Sequence, residues 1–317
     1  MRVVGLILVF VAVGSIFFLT NYFKSRPDPE KPAEEIQPVY NKSLFMPGVK
    51  LGILNKERVT EASGMVASRK NPGVFWVHND AGNSATIYAI KADGEFISAY
   101  RVKQAKSRDW EDVAIGPGPE KGVDYIYIGN IGDNNLEYAS VAIYRVEEPK
   151  VDINQATGSA DKLEDVRIGP AAEIELLYPD GPKDAETLLV DPLNGDIYII
   201  TKGKSSGLVY MAPYPQAVDS RTTLEFIAEV PMAKATGGDV SPDGSCVIVR
   251  ASKAAGLWIR PAEQKLWMAF IDQPVWIDLA KEPQGEAVCF DANSNGFYTL
   301  SEMKHPYIYY FARIPSE

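Results

Sequence analysis

A short phrase returns five times along this chain: a carboxylate beside small residues, a brief apolar run, a turn, then a run rich in aromatic and β-branched residues. It begins at Glu61 (EASGMVAS), Glu111 (WEDVAIGP), Glu186 (DAETLLVDP), Asp239 (TGGDVSPDG) and Glu286 (GEAVCFDA). The runs that follow are VFWVHND, DYIYIGN, DIYIITK, SCVIVRA and GFYTLSE. These anchors lie 50, 75, 53 and 47 residues apart. All-β units of roughly 40–50 residues are the mark of a propeller, each blade a four-stranded sheet. The expected fold class is all-β, a β-propeller of five blades, with each recurring acid at the start of an innermost strand.

Strand-like runs fill out the blades. The first reads SGMVAS, VFWVHND, TIYAIKA and EFISAYRV, and the third places Leu193-Asn194-Gly195-Asp196 as a tight hairpin turn. The 75-residue gap is taken up by an acidic excursion over 150–166, and a six-bladed alternative stays open if the insertion through Asp184 contributes sheet. The last blade is one strand short. Residues Gly48 to Leu54 (GVKLGIL) are expected to supply it, closing the ring with strands from both ends of the domain so that no edge is left open.

The N-terminus is of another kind. Residues 1–24 contain an uncharged apolar run from Val3 to Phe23, long enough at about 1.5 Å per residue to cross a membrane. Bulky Phe17, Phe18, Tyr22 and Phe23 stand where a signal-peptide cleavage site wants small residues, so the run reads as an uncleaved signal anchor, with secretion after cleavage as the alternative. Residues 25–40 carry four Pro and four acids and read as a linker, leaving 41–317 as the propeller domain. The expected location is extracytoplasmic, periplasmic or at the cell surface, held to the membrane by the N-terminal helix. A formal net charge of −10 argues against nucleic acid as a partner. Cys246 and Cys289 are read as buried thiols, with a disulfide as the lesser alternative, and neither fits a zinc-ligand spacing.

In a propeller the loops at one mouth bring residues from every blade together. Glu61, Glu111, Glu186, Asp239 and Glu286 are therefore expected to converge there, with Asn130 among the candidate metal ligands. Hard oxygen donors in such a ring suit Ca²⁺, which takes about 6–8 of them. Near the ends of the following strands stand Asn79, Asp133, Lys202, Arg250 and Glu302, candidates for binding a ligand. His78, Asp80 and Glu111 are the candidates for acid–base work. In Asp109-Trp110-Glu111-Asp112, alternation puts Asp109 and Glu111 on the channel face and turns Asp112 away. The segment Gly129–Asn135 lacks the ligand spacing of an EF-hand. Sequence motifs for a nucleophile elbow, a phosphate loop, a dinucleotide fold and a zinc protease are all missing, and Ser63 has no evident base.

EASGM, VFWVHNDAGN, RDWEDVAIGP, YIGNIGDN, IYRVEEP, DAETLLVDP and TGGDVSPDG together resemble a group of uncharacterised bacterial secreted or membrane-anchored β-propeller proteins, over roughly residues 58–303. By residue kind alone the chain also looks like phytase-like propellers and calcium-dependent lactonases, where acids and amides at the channel mouth hold the metal. That likeness implies ligands of the type of Glu61, Asn130 and Asp239. The expected function is binding of a small molecule or protein at an acidic mouth, with Ca²⁺ as cofactor. The alternatives are a metal-dependent hydrolase of phosphoesters or lactones at the same mouth, and an interaction scaffold with no small-molecule site.

Overall fold

Runs of alternating small, aromatic and β-branched residues separated by turns form antiparallel ladders, and five of these sheets make a five-bladed propeller. The computed structural model describes residues 44–54, 57–153 and 165–315. Blade 1 comprises Ala62–Ala67, Val74–Asn79, Thr86–Lys91 and Phe96–Val102. Blade 2 comprises Trp110–Pro117, Asp124–Asn130, Val141–Glu147 and Ala172–Leu177. Blade 3 is built from Ala185–Val190, Ile197–Thr201, Gly207–Ala212 and Glu225–Val230, and blade 4 from Gly237–Val240, Cys246–Arg250, Ala254–Ile259 and Val275–Asp278. Blade 5 takes Gly285–Phe290, Gly296–Ser301 and Tyr307–Ala312, and Val49–Ile53 completes it, with Val49 opposite Tyr310.

Ring closure by a strand from before the first blade is therefore as the sequence led one to expect. Among the described residues the insertion in blade 2 makes no sixth blade. Its described end, Val166–Ile168, lies parallel to the outer strand of blade 1, with Ile168 opposite Val102. Thr222–Thr223 extends blade 2 in the same way. Leu266–Ile271 is a short 3₁₀ helix that buries Leu266, Ala269 and Phe270 against the seam between blades 3 and 4.

Apolar side chains on both faces of each sheet fill the seams between neighbouring blades. Trp76, Tyr100, Trp110 and Tyr144 pack between blades 1 and 2, and Tyr127, Ile143, Leu188 and Tyr210 between blades 2 and 3. Trp258 and Phe270 anchor the next seam, and Phe297 stacks on Phe311 at 4.5 Å in the one after. Each large side chain so buried contributes about 1.5–3 kcal/mol, so the seams hold the ring together. Cys246 and Cys289 belong to different seams and both are buried free thiols. The expected membrane span and linker, residues 1–40, lie outside the described residues. Among the described residues no helix is long and apolar enough to cross a membrane.

Candidate functional site

A bulge decides which acids reach the mouth. In blade 2 Trp110 pairs with Asn130 and Asp112 with Gly129, so Glu111 is the extra residue and projects from the ladder. The same shift leaves Glu186 unpaired between Ala185 and Thr187, and Glu286 between Gly285 and Ala287. Blade 1 bulges at Ser63-Gly64 instead, which sets Glu61 one step outside its inner strand. Blade 4 has no bulge: Gly237, Gly238 and Asp239 pair in unbroken register with Arg250, Val249 and Ile248. Asp239 consequently lies deeper in the channel, where its carboxylate accepts the N–H groups of Val240 at 2.8 Å and Phe290 at 2.9 Å. The expected ring of five equivalent acids is thus three bulge acids, with Glu61 on the rim and Asp239 below.

The bulge also reverses the expected direction of Asp112. It is not turned away from the channel. Buried completely, it accepts N–H bonds from Val113 and Leu188 at 2.9 Å and Gly238 at 3.2 Å, reaching from blade 2 to blades 3 and 4.

Around the bulge acids the loops add more. One carboxylate oxygen from each of Asp80, Asp109 and Glu111 lies within 4.8 Å of the others. Asp80 follows the second strand of blade 1, its N–H donating to the Glu61 carbonyl at 2.9 Å. Gly132 is what lets Asp109 and Glu111 share this space, since a Cβ on it would collide with carboxylate oxygens of both. Lys202 stands in blade 3 and pairs with Glu186, which is itself buried and whose Oε2 has no hydrogen-bond partner. Among the described residues no cation forms an ion pair with Asp80, Asp109, Glu111 or Glu286.

The charges raise one another. Burial, then the fields of Glu186, Asp80 and Asp109, push the Glu111 carboxyl up to about 10. Burial also pushes Glu186 to about 8, against the opposing hydrogen bond from Lys202, and Glu286 to about 7. Asp80, Asp109 and Glu302 are raised as well, by burial first and by neighbouring acids second. Burial works against the charge of Lys202, but Glu186, Glu286 and Glu111 outweigh it and raise the ammonium above its ordinary value. A cluster in which Lys202 offsets only part of the charge attracts a cation, because a further positive ion is what lets all the carboxylates ionise together.

Other sequence-selected residues hold the frame. Asn130 Oδ1 accepts the N–H groups of Arg108 and Asp109 at 3.1 and 2.9 Å. Asn79, at the matching position of blade 1, accepts those of Thr60 and Glu61 at 3.0 and 3.2 Å and donates to the Arg58 carbonyl at 2.8 Å. Ser301 does the same in blade 5, exchanging bonds with the backbone of Gln284. These side chains fasten the loops that present the acids. Asp133 is buried and caps a turn, taking the N–H groups of Glu137 and Tyr138.

Arg250 is fully buried, paired with Glu282 at 3.0 Å and donating to the Ala287 carbonyl at 3.0 Å, so it joins blades 4 and 5 instead of facing the mouth. Glu302 sits at the rim and accepts from Gln284. His78 is sealed beneath the mouth, edge-on to Trp110 at 5.8 Å, its Nδ1 donating to the Asn79 carbonyl at 2.9 Å. Burial pushes it down to about 4, so the ring is neutral at physiological pH.

Sequence alone does not show that Gly132 makes room for the Asp109 and Glu111 carboxylates, or that Asp112 crosses to blades 3 and 4. It does single out Asp80, Asp109 and Glu111 and puts the last two on one face, but without adding Asp80 to them.

No family model matches the chain, and no curated protein matches it. Among solved structures it is similar to Kuenenia stuttgartiensis hydrazine synthase, at 9% identity and a TM-score of 0.40, over 81% of this chain and 72% of that one. So slight a likeness carries no argument about this chain.

Proposed function

We propose that this protein is a membrane-anchored, extracytoplasmic propeller that binds a divalent cation at its acidic mouth and, through it, a small molecule or protein partner. The observation that carries the reading is the convergence of Asp80, Asp109 and Glu111, with oxygens no more than 4.8 Å apart. Three oxygens so spaced share a point no more than about 2.8 Å from each, so a small inward adjustment reaches the range of about 2.3–2.6 Å for Ca²⁺. The elevated Glu111, at about 10, supports it further, because a bound ion offsets both the burial and the neighbouring charges that keep this group protonated. The ligand types, carboxylates without thiols or accessible imidazole, favour a hard cation over zinc or copper.

The Lys202–Glu186 pair beside the triad favours a second reading, a metal-dependent hydrolase of phosphoesters or lactones. In that case the metal would polarise the substrate or activate water, Asp80 or Glu111 would take the proton, and Lys202 would stabilise developing negative charge.

Thermal melting of the full chain with and without Ca²⁺, followed by a screen of phosphoesters and lactones on the metal-loaded protein, tests both. A Ca²⁺-dependent rise without turnover supports the binding reading, and turnover supports the hydrolase. No rise with any divalent ion leaves an interaction scaffold.

A further inference from the structure

The end of blade 2 away from the mouth carries a second polar cleft, of about 500 Å³, walled in part by Pro149 and Pro170. Arg145 lines it from the third strand of the blade, between its cross-strand neighbours Tyr127 and Ala172, and is only 6% exposed. Its guanidinium lies 6.0 Å from the Tyr127 ring and meets the Tyr127 hydroxyl as a neutral partner, and among the described residues no carboxylate forms an ion pair with it. An arginine cannot shed its proton to escape burial and a phenol does not balance its charge, so the site favours an anion.

Lys150 and Arg167 line the same cleft, are exposed, and likewise have no ion-pair partner among the described residues. The acids nearby are already engaged. Glu147 holds Lys70 at 3.0 Å, and Glu148 is turned inward, bound to Trp76 Nε1 at 2.8 Å and the Lys70 N–H at 2.9 Å. On a chain of net charge −10, three unpaired cations gather at one cleft.

We propose that this cleft is a binding site for a phosphate dianion, free or as the phosphomonoester of a small molecule. A guanidinium held in place offers a fixed fork of donors, and flanking ammonium and guanidinium groups can reach the remaining oxygens of a tetrahedral anion. A planar carboxylate offers the fork one edge and leaves the other donors unused.

The test is calorimetric titration and thermal melting of the full chain in EDTA, which keeps the mouth out of the measurement. Sodium phosphate, glycerol 3-phosphate, malonate and sodium chloride are compared at matched ionic strength. Saturable binding of phosphate or glycerol 3-phosphate is expected, the tighter of the two identifying the source, with malonate and chloride at least about tenfold weaker. The exposed pair Lys150→Gln and Arg167→Gln should weaken phosphate about tenfold without altering the melting temperature in chloride, and Arg145→Lys should weaken it further. Malonate binding as tightly as phosphate, phosphate acting no differently from chloride, or unchanged affinity in the double variant would overturn the assignment.

Discussion

The backbone N–H of Leu188 donates to Oδ2 of Asp112 at 2.9 Å, so a carboxylate of blade 2 ties blade 3 across the channel. The same carboxylate serves Val113 and Gly238, and burial pushes its pKa well above the ordinary range. Replacing it by Ala leaves three buried N–H groups without an acceptor, at about 1–3 kcal/mol each. Asp112→Ala should therefore cost about 3 kcal/mol or more in urea unfolding, and Asp112→Asn distinctly less. A loss under about 1 kcal/mol for the alanine variant would show that the crossing is not structural.

Asn130 separates fastening from ligation. Its oxygen is committed to the N–H groups of Arg108 and Asp109. Asn130→Ala should cost about 2 kcal/mol in stability, whereas Asn130→Asp, which keeps the acceptor, should cost less than half as much. Calorimetry on the aspartate variant should show cation affinity within about threefold of the parent, and a larger change would mean the residue touches the ion.

Gly132 tests the triad from the other side. A methyl group there collides with carboxylate oxygens of Asp109 and Glu111 and must spread them apart. Gly132→Ala is expected to weaken divalent-cation binding about tenfold or more while the fold persists, as judged by an unchanged far-ultraviolet circular dichroism spectrum. Full affinity in this variant would place the ion elsewhere.

The pH dependence follows from the raised carboxyls. Unfolded, Glu286, Glu186 and Glu111 lose their protons near 4.5, but folded they hold them to about 7, about 8 and about 10. Between those limits the folded chain binds more protons, so stability falls as pH rises. His78, held down at about 4 against an ordinary 6.5, opposes this below pH 6.5 by making the unfolded state the better proton binder. The metal-free chain should thus lose stability from pH 6.5 to pH 8 in EDTA. Saturating Ca²⁺ should flatten that slope and release protons on binding. A metal-free melting temperature that climbs across this window would contradict the electrostatics of the site.

The blades were legible because strand and turn are local properties: VFWVHND or DIYIITK alternates as a strand whatever surrounds it. Closure of blade 5 by Val49–Ile53 was legible too, since the last repeat visibly lacks its fourth strand. The mouth was less so. Whether Glu111 or Asp112 faces the channel depends on one extra residue in the ladder, and that bulge is fixed by the register with the next strand, which alternation along one strand does not reveal. The recurring phrase likewise grouped Asp239 with Glu186 and Glu286, although only the latter two occupy bulges. Asn130 looked like a donor to an ion, and Asn79 like a contact for a ligand, because composition cannot tell an amide facing a channel from one bound to nearby backbone.

The most direct measurement is calorimetric titration of the metal-stripped full chain with Ca²⁺, alongside the combined Asp109→Asn and Glu111→Gln variant. The account predicts saturable binding and a stabilisation approaching about 2.7 kcal/mol at a hundredfold excess over Kd. It also predicts that the double variant, no less stable than the parent in EDTA, shows neither effect. Absence of heat and of any melting shift with Ca²⁺, Mg²⁺ and Mn²⁺, in a chain that elemental analysis finds free of metal, would contradict it.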